Sequence, residues 1–306
     1  MKKFFFCAAA AIVALASCSK TQVVYNDAPE EIGFKAVSGV MTKDPIEGTT
    51  LPTGAMMMVY ASKSAEEAGT YTPYFSKQTF EWKSTYWGGT TAQYWPESGY
   101  LKFIAYYPST IGTGVTGDAT QNIVISGVDA ADQTDILYTN LTAAQECANK
   151  PVVAMPFLHA LAQVQVTAKV SDADMTDVNV TKVVLKTPIL TGNLTLTGTD
   201  ATWADQANGA DITMNNVIAS TDLTTTSQTL GTGALVVPGT TTSQLVVTYT
   251  IGGLEVTTDP ISIAGTWEKG KKYIYNLTIG LDEIKLSATV ADWASATTEE
   301  PDVDAI

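Results

Sequence analysis

The sequence contains no arginine; all 17 of its positive side chains are lysine. Arginine's planar fork is the usual grip on carboxylates and phosphates, so an enzyme built around an anionic substrate is disfavoured. Histidine occurs once, as His159. One histidine cannot supply a multi-histidine zinc site, and a Ser-His-Asp triad would rest on it alone. We read His159 as a hydrogen-bonded structural residue. Cysteine is scarce too: Cys7, Cys18 and Cys147. The first two belong to an N-terminal leader and its end, so Cys147 is left without an internal partner and no disulfide is expected. Charged residues make up 16% and the net charge is −14. That excludes nucleic acid and polybasic docking to anionic lipid, both of which need basic surface. Helical periodicity is almost missing. We expect no cofactor, no bound metal and no catalytic residue.

What is present begins with the leader. Lys2 and Lys3 precede thirteen apolar residues, Phe4 to Ala16. A positive start and a short apolar run make a secretory signal, and thirteen residues are too few to span a bilayer, which needs ~20. The stretch Leu15-Ala16-Ser17-Cys18 resembles the bacterial lipobox, which implies cleavage before Cys18 and acylation of that residue. The expected division is a signal peptide over 1–17 and a polar tether over 18–30. Loss of Lys2 and Lys3 with the leader takes the net charge from −14 to −16.

Beyond the tether the pattern has period two. Ile32-Gly33-Phe34, Met56 to Tyr60, Ile123 to Ile125 and Ile136 to Tyr138 are strand candidates. Leu101, Phe103, Ala105 and Tyr107 alternate with Lys102, Ile104 and Tyr106 in a strand that ends at Pro108. The one candidate helix is Thr142 to Asn149. Val164, Val166, Ala168 and Val170 alternate with Gln163, Gln165, Thr167 and Lys169, which predicts a strand with one wet face. Gly252-Gly253 between Leu245–Ile251 and Leu254–Val256 predicts a tight hairpin. Tyr273 to Ile279 and Ile284 to Val290 give the last strands. Many short alternating strands predict β-sandwiches, with domains over 31–150 and 151–294 and an acidic tail over 295–306.

Three groupings could carry chemistry. Gly265 to Lys272 nearly spells a P-loop, but Lys272 stands where Ser or Thr should be, and a strand follows instead of a helix. We read it as a hairpin turn in which Gly270 supplies backbone freedom. Asp172, Asp174 and Asp177, and Asp129, Asp132 and Asp135, could offer oxygens to calcium, but neither set has the glycine and terminal glutamate of an EF-hand loop; solvated turns are the expectation. Trp82, Trp87 and Trp95 with Tyr86, Tyr94 and Tyr100 fill a core or an interface, or form a platform for stacking sugars.

Several stretches, in order along nearly the whole chain, carry a resemblance: Ile32-Gly33-Phe34, Met41-Thr42-Lys43, Tyr94-Trp95-Pro96, Phe103 to Pro108, Asp135 to Tyr138, Phe157 to Ala162, Trp267 to Tyr273 and Ala288 to Trp293. Together they resemble the fimbrillin family, the FimA/Mfa-like pilins. The resemblance implies two transthyretin-like antiparallel β-sandwich domains in tandem. It also implies export as a lipoprotein to the outer membrane and assembly with other fimbrial subunits into a type V pilus by strand donation. In that family an arginine-specific protease often trims the N-terminal segment. With no arginine, the cut would fall at a lysine, Lys35 or Lys43. The candidate donor strand is Ile284, Leu286, Ala288 and Val290. The alternative is a lipid-anchored adhesin or tip protein for a glycan or host protein. A secreted hydrolase comes third, because no pair of carboxylates is marked by spacing.

Overall fold

The structure, a computed structural model, describes residues 30–37, 54–83, 86–214, 222–281 and 284–293. Among them every regular element is a strand except one 3₁₀ turn, Cys147–Asn149. The chain is all-β. The helix expected over 142–149 shrinks to that turn. The Cys147 N–H donates to the Gly99 carbonyl at 2.8 Å and the Cys147 side chain is fully buried, which ties the segment down before a helix can propagate.

The first ten strands are β1 Gly33–Val37, β2 Met56–Ser64, β3 Thr72–Trp82, β4 Trp87–Gly89, β5 Tyr100–Tyr107, β6 Gly114–Thr116, β7 Ile123–Asp129, β8 Leu137–Thr139, β9 Gln145–Glu146 and β10 Val153–His159. Seven of them close a ring, in the order β2-β3-β4-β1-β10-β8-β5, with β5 pairing back onto β2. β9 adds to the far side of β5. Closure leaves no free edge in the ring. Its interior is apolar: Phe34 meets Phe80 and Phe103 edge to face, with ring centroids at 4.9 and 5.1 Å. Trp87, Trp95, Met57 and Val153 complete the filling. Aromatic pairs in this geometry add ~0.5–1.5 kcal/mol beyond their burial.

The second half supplies β11 Ala162–Val170, β12 Val178–Lys186, β13 Ile189–Leu196, β14 Ala201–Asn208, β15 Ile212–Thr213, β16 Gln228–Val236, β17 Gly239–Thr241, β18 Gln244–Ile251, β19 Leu254–Thr257, β20 Ile261–Ser262, β21 Gly265–Trp267, β22 Lys271–Ile279 and β23 Ile284–Asp292. Two sheets, β16-β11-β22-β23 and β15-β12-β18-β19, share one core of Val164, Val166, Val180, Leu185, Val247 and Leu277 among others. The β18–β19 hairpin turns on Gly252 and Gly253 at φ +55° and +80°, as Gly-Gly predicts. The turn at Gly270 has φ +66°, but it does not make a hairpin. β21 pairs with β17 while β22 pairs with β11 and β23, so the chain changes sheets there.

The wet face expected on β11 is also corrected. Gln163 and Gln165 are buried. The Gln165 amide donates to the carbonyl of Leu230 at 3.1 Å, and the Gln163 side chain lies over Gly233, where a Cβ would come within 2.7 Å of it. The neighbouring backbone satisfies the Gln165 amide, while the buried Gln163 Oε1 has no hydrogen-bond partner among the described residues.

A third layer joins the halves. The sheet β14-β13-β7-β6 draws β6 and β7 from before residue 150 and β13 and β14 from after it. One apolar cluster runs from Tyr60, Ile104 and Tyr106 on the outside of the ring, through Ile123, Ile125 and Leu194, to Leu235, Val237 and Trp293. β10, which follows residue 150, is itself a ring strand between β1 and β8.

Candidate functional site

The front of the described chain is held deep. β1 runs parallel to β10, from Phe34 opposite Val153 to Val37 opposite Pro156, and antiparallel to β4. Just before it, the Ile32 N–H donates to the Gln93 carbonyl at 2.7 Å. Ile32 and Phe34 are 1% and 0% exposed. The residue after Phe34, Lys35, points outward; it is exposed and sits opposite Ala154. Cys18 and Lys43 lie outside the described residues.

The back is held lightly. β23 pairs with β22 along its whole length, from Ile279 opposite Ile284 to Lys271 opposite Asp292. No strand among the described residues lies on its other side. Ile284 and Leu286 are half-buried and pack against the second core. Ala288 and Val290 are exposed, Val290 by 58%.

The strand then ends in a buried residue. Trp293 is 6% exposed and lies flat on the His159 ring, centroids 3.7 Å apart and planes 10° apart. The Trp293 N–H donates to the Gly270 carbonyl at 2.9 Å, and the Gly270 N–H to the Leu161 carbonyl at 2.8 Å. His159 closes β10, and its Nδ1 is 2.9 Å from the Asp135 Oδ2. Burial pushes the Asp135 carboxyl up from the ordinary carboxylate range, and the bond to His159 opposes this in part. The expectation of a hydrogen-bonded structural histidine describes this geometry.

Around the stack lies a cleft of about 370 Å³ lined by Tyr138, Leu158, His159, Lys269, Gly270 and Trp293. Lys269 pairs with Asp200 at 2.9 Å and holds that carboxyl below its usual range. Burial, with Asp200 nearby, raises the Tyr138 hydroxyl to about 12. These groups steady one another. The His159 Nδ1 is taken up by Asp135.

The remaining candidates resolve in the same way. Asp129, Asp132 and Asp172 each accept a backbone N–H two residues on, in Ala131, Thr134 and Asp174. Trp87 and Trp95 are buried in the ring while Tyr86 and Tyr94 stay exposed. Sequence reasoning missed the stack of Trp293 on His159. Both residues fall in the stretches that carry the family resemblance, but more than a hundred residues separate them and no spacing rule connects them.

The whole is an all-β frame with one deeply set strand, one lightly held edge strand and a buried ionisable pair used for packing. The fimbrillin-like family model matches residues 41–293, and the chain belongs to the fimbrillin-like family. A Bacteroides uniformis protein named as fimbrium subunit Fim1C is 26% identical over 316 residues, covering 95% of each chain. The fold is shared with a fimbrial protein of Bacteroides vulgatus, at 17% identity, a TM-score of 0.58 and coverage of 86% of this chain and 99% of that one. It is shared also with a cell adhesion protein of Bacteroides uniformis, at 18% identity, a TM-score of 0.55 and coverage of 86% and 98%.

Proposed function

We infer that this chain, a fimbrial structural subunit, joins its neighbours by strand donation, giving β23 and receiving a strand where β1 now lies. The contrast between the two strands carries the reading. Ile32 and Phe34 are fully buried, so removal of β1 would open the ring between β4 and β10. It would leave two unpaired edges and an apolar trough over Phe80, Phe103 and Trp87. Unpaired edges with alternate pockets are what an added strand fills. Among the described residues β23 has one strand neighbour, and it exposes Ala288 and Val290. Seating such side chains in a neighbour is worth roughly 1.5–3 kcal/mol for each large aliphatic residue.

In this reading Cys18 carries the lipid that holds the precursor at the outer membrane, after cleavage of the 1–17 leader. Of the two candidate cuts, Lys43 lies between β1 and β2 in the chain, so cleavage there frees all of β1. Lys35 lies within β1, and cleavage there would divide it. A tandem transthyretin-like architecture belongs to the same proposal, with its boundary moved from residue 150 to the end of β10, because β10 is a ring strand, and with other fimbrial subunits as partners. An adhesin or tip role for a glycan or host protein is the second reading; exposed Tyr74, Tyr86 and Tyr94 favour it.

The test is a deletion of residues 284–306 alongside Lys43→Gln and Lys35→Gln. The deletion variant, checked as folded by circular dichroism, should export but yield no polymer ladder on a gel of unboiled surface material. Lys43→Gln should accumulate uncut precursor, and Lys35→Gln should not. Normal ladders from the folded deletion variant would exclude β23 as donor.

A further inference from the structure

The last half of β23 poses a problem of retention. Residues 287–292 are all exposed, and an edge strand with so little buried area is poorly held by one ladder. The next residue, Trp293, is nevertheless buried and belongs to the apolar seam between the ring and the second half. Its contacts come from elements remote in sequence: the ring stacks on His159 at the end of β10, the backbone N–H donates to the Gly270 carbonyl, and Tyr138 of β8 and Leu158 belong to the same apolar cluster. The imidazole face is fixed for stacking because Asp135, wholly buried, takes its Nδ1. The indole N–H finds no acceptor among the described residues, which lowers the net hold and leaves the seat reversible.

We propose that His159, Tyr138, Leu158 and Gly270 form an indole socket that retains β23 in the separate subunit by binding Trp293, so that the strand leaves home only when the indole leaves the socket. This rests on the reading of β23 as the transferred strand. In the separate subunit Trp293 is the plug that keeps the strand at home. When β23 leaves, an apolar socket with a flat ring face opens beside the unpaired edge of β22. His159 and Asp135 are positioning residues in this arrangement: His159 presents the ring, and Asp135 sets its angle.

Backbone hydrogen exchange on the full mature chain tests the socket. In the wild type, β23 amides should be protected. In Trp293→Ala they should exchange about ten- to a hundredfold faster, the loss expected for a stacked, buried ring, with amides of β11 and β12 unchanged. Trp293→Phe should restore most of the protection, since it keeps a ring for His159 to stack on. His159→Gln should open β23 as Trp293→Ala does. A peptide of residues 284–293 should then bind Trp293→Ala protein, and the same peptide with alanine at its last position should not. Unchanged β23 protection in Trp293→Ala, or loss of protection spread evenly over β11 and β12 in the Phe variant, would overturn the socket. Mixing two isotopically labelled copies separates the two readings. A Trp293→Ala protein with an open β23 and no mixed polymers would retain the socket and refute strand donation.

Discussion

At the scale of single residues, the ring interior is where side chains matter most. Phe34 is fully buried between Phe80 and Phe103. Truncating it leaves a void that the closed ring cannot collapse to fill. Phe34→Ala should cost ~3–5 kcal/mol, read as a shift of the urea midpoint at unchanged slope. The sequence marked Phe34 through alternation, and it marked Trp95 through the Tyr-Trp-Pro stretch. It could not mark Asp135. In sequence that residue looks like the third carboxylate of a solvated turn with Asp129 and Asp132. In the fold the chain turns inward there, and a buried imidazole partner makes the position tenable, because a buried carboxyl needs a hydrogen-bonding partner.

At the scale of elements, the donor role proposed for β23 sets two demands: stability enough at home, and side chains that plug another place. Val290 shows the separation, since it is 58% exposed in the separate subunit. Val290→Lys should leave subunit stability within ~0.5 kcal/mol, as surface changes do, while a charge at a plug position should abolish polymer formation. Thermal melts and polymer gels on the same samples check this; normal polymers would remove Val290 from the set of plugs. Long strands with one polar face were legible from alternation, as in β18 and β22. Strands buried on both faces were misread on one side. Ile104 and Tyr106 of β5 face the seam, and Gln163 and Gln165 of β11 are dry because neighbouring strands cover them. β4, β6 and β9 have two or three residues each, too few to show a period. The turn at Gly270 was legible as a turn, but which strands it joins depends on pairing with β17, which local sequence does not encode.

At the scale of the whole molecule, the decisive feature is the seam. The sheet β14-β13-β7-β6 and the cluster around Tyr60, Tyr106 and Leu194 tie both halves into one apolar contact. A division at residue 150 would strip β10 from the ring and β13 from β7. We therefore expect a single cooperative transition in calorimetry of the mature chain, with matching calorimetric and van't Hoff enthalpies. The fragments 31–150 and 151–294, expressed separately, should be insoluble or unfolded. Two resolved transitions, or two soluble folded fragments, would show that the halves are independent. Fold class was legible here because strand periodicity is local; the ring closure and the shared sheet were not, because they join residues far apart in sequence. The placement of the two end strands has one more consequence. If β23 gives and the β1 position receives, as proposed, the two surfaces lie on different sheets of the same chain, and contact between copies is then heterologous and does not close on itself. Under that proposal each added copy would leave the growing fibre with one unlike end of each kind. Such a fibre has a direction, lengthens by a single repeated contact, and stops only when a partner arrives that can receive without giving.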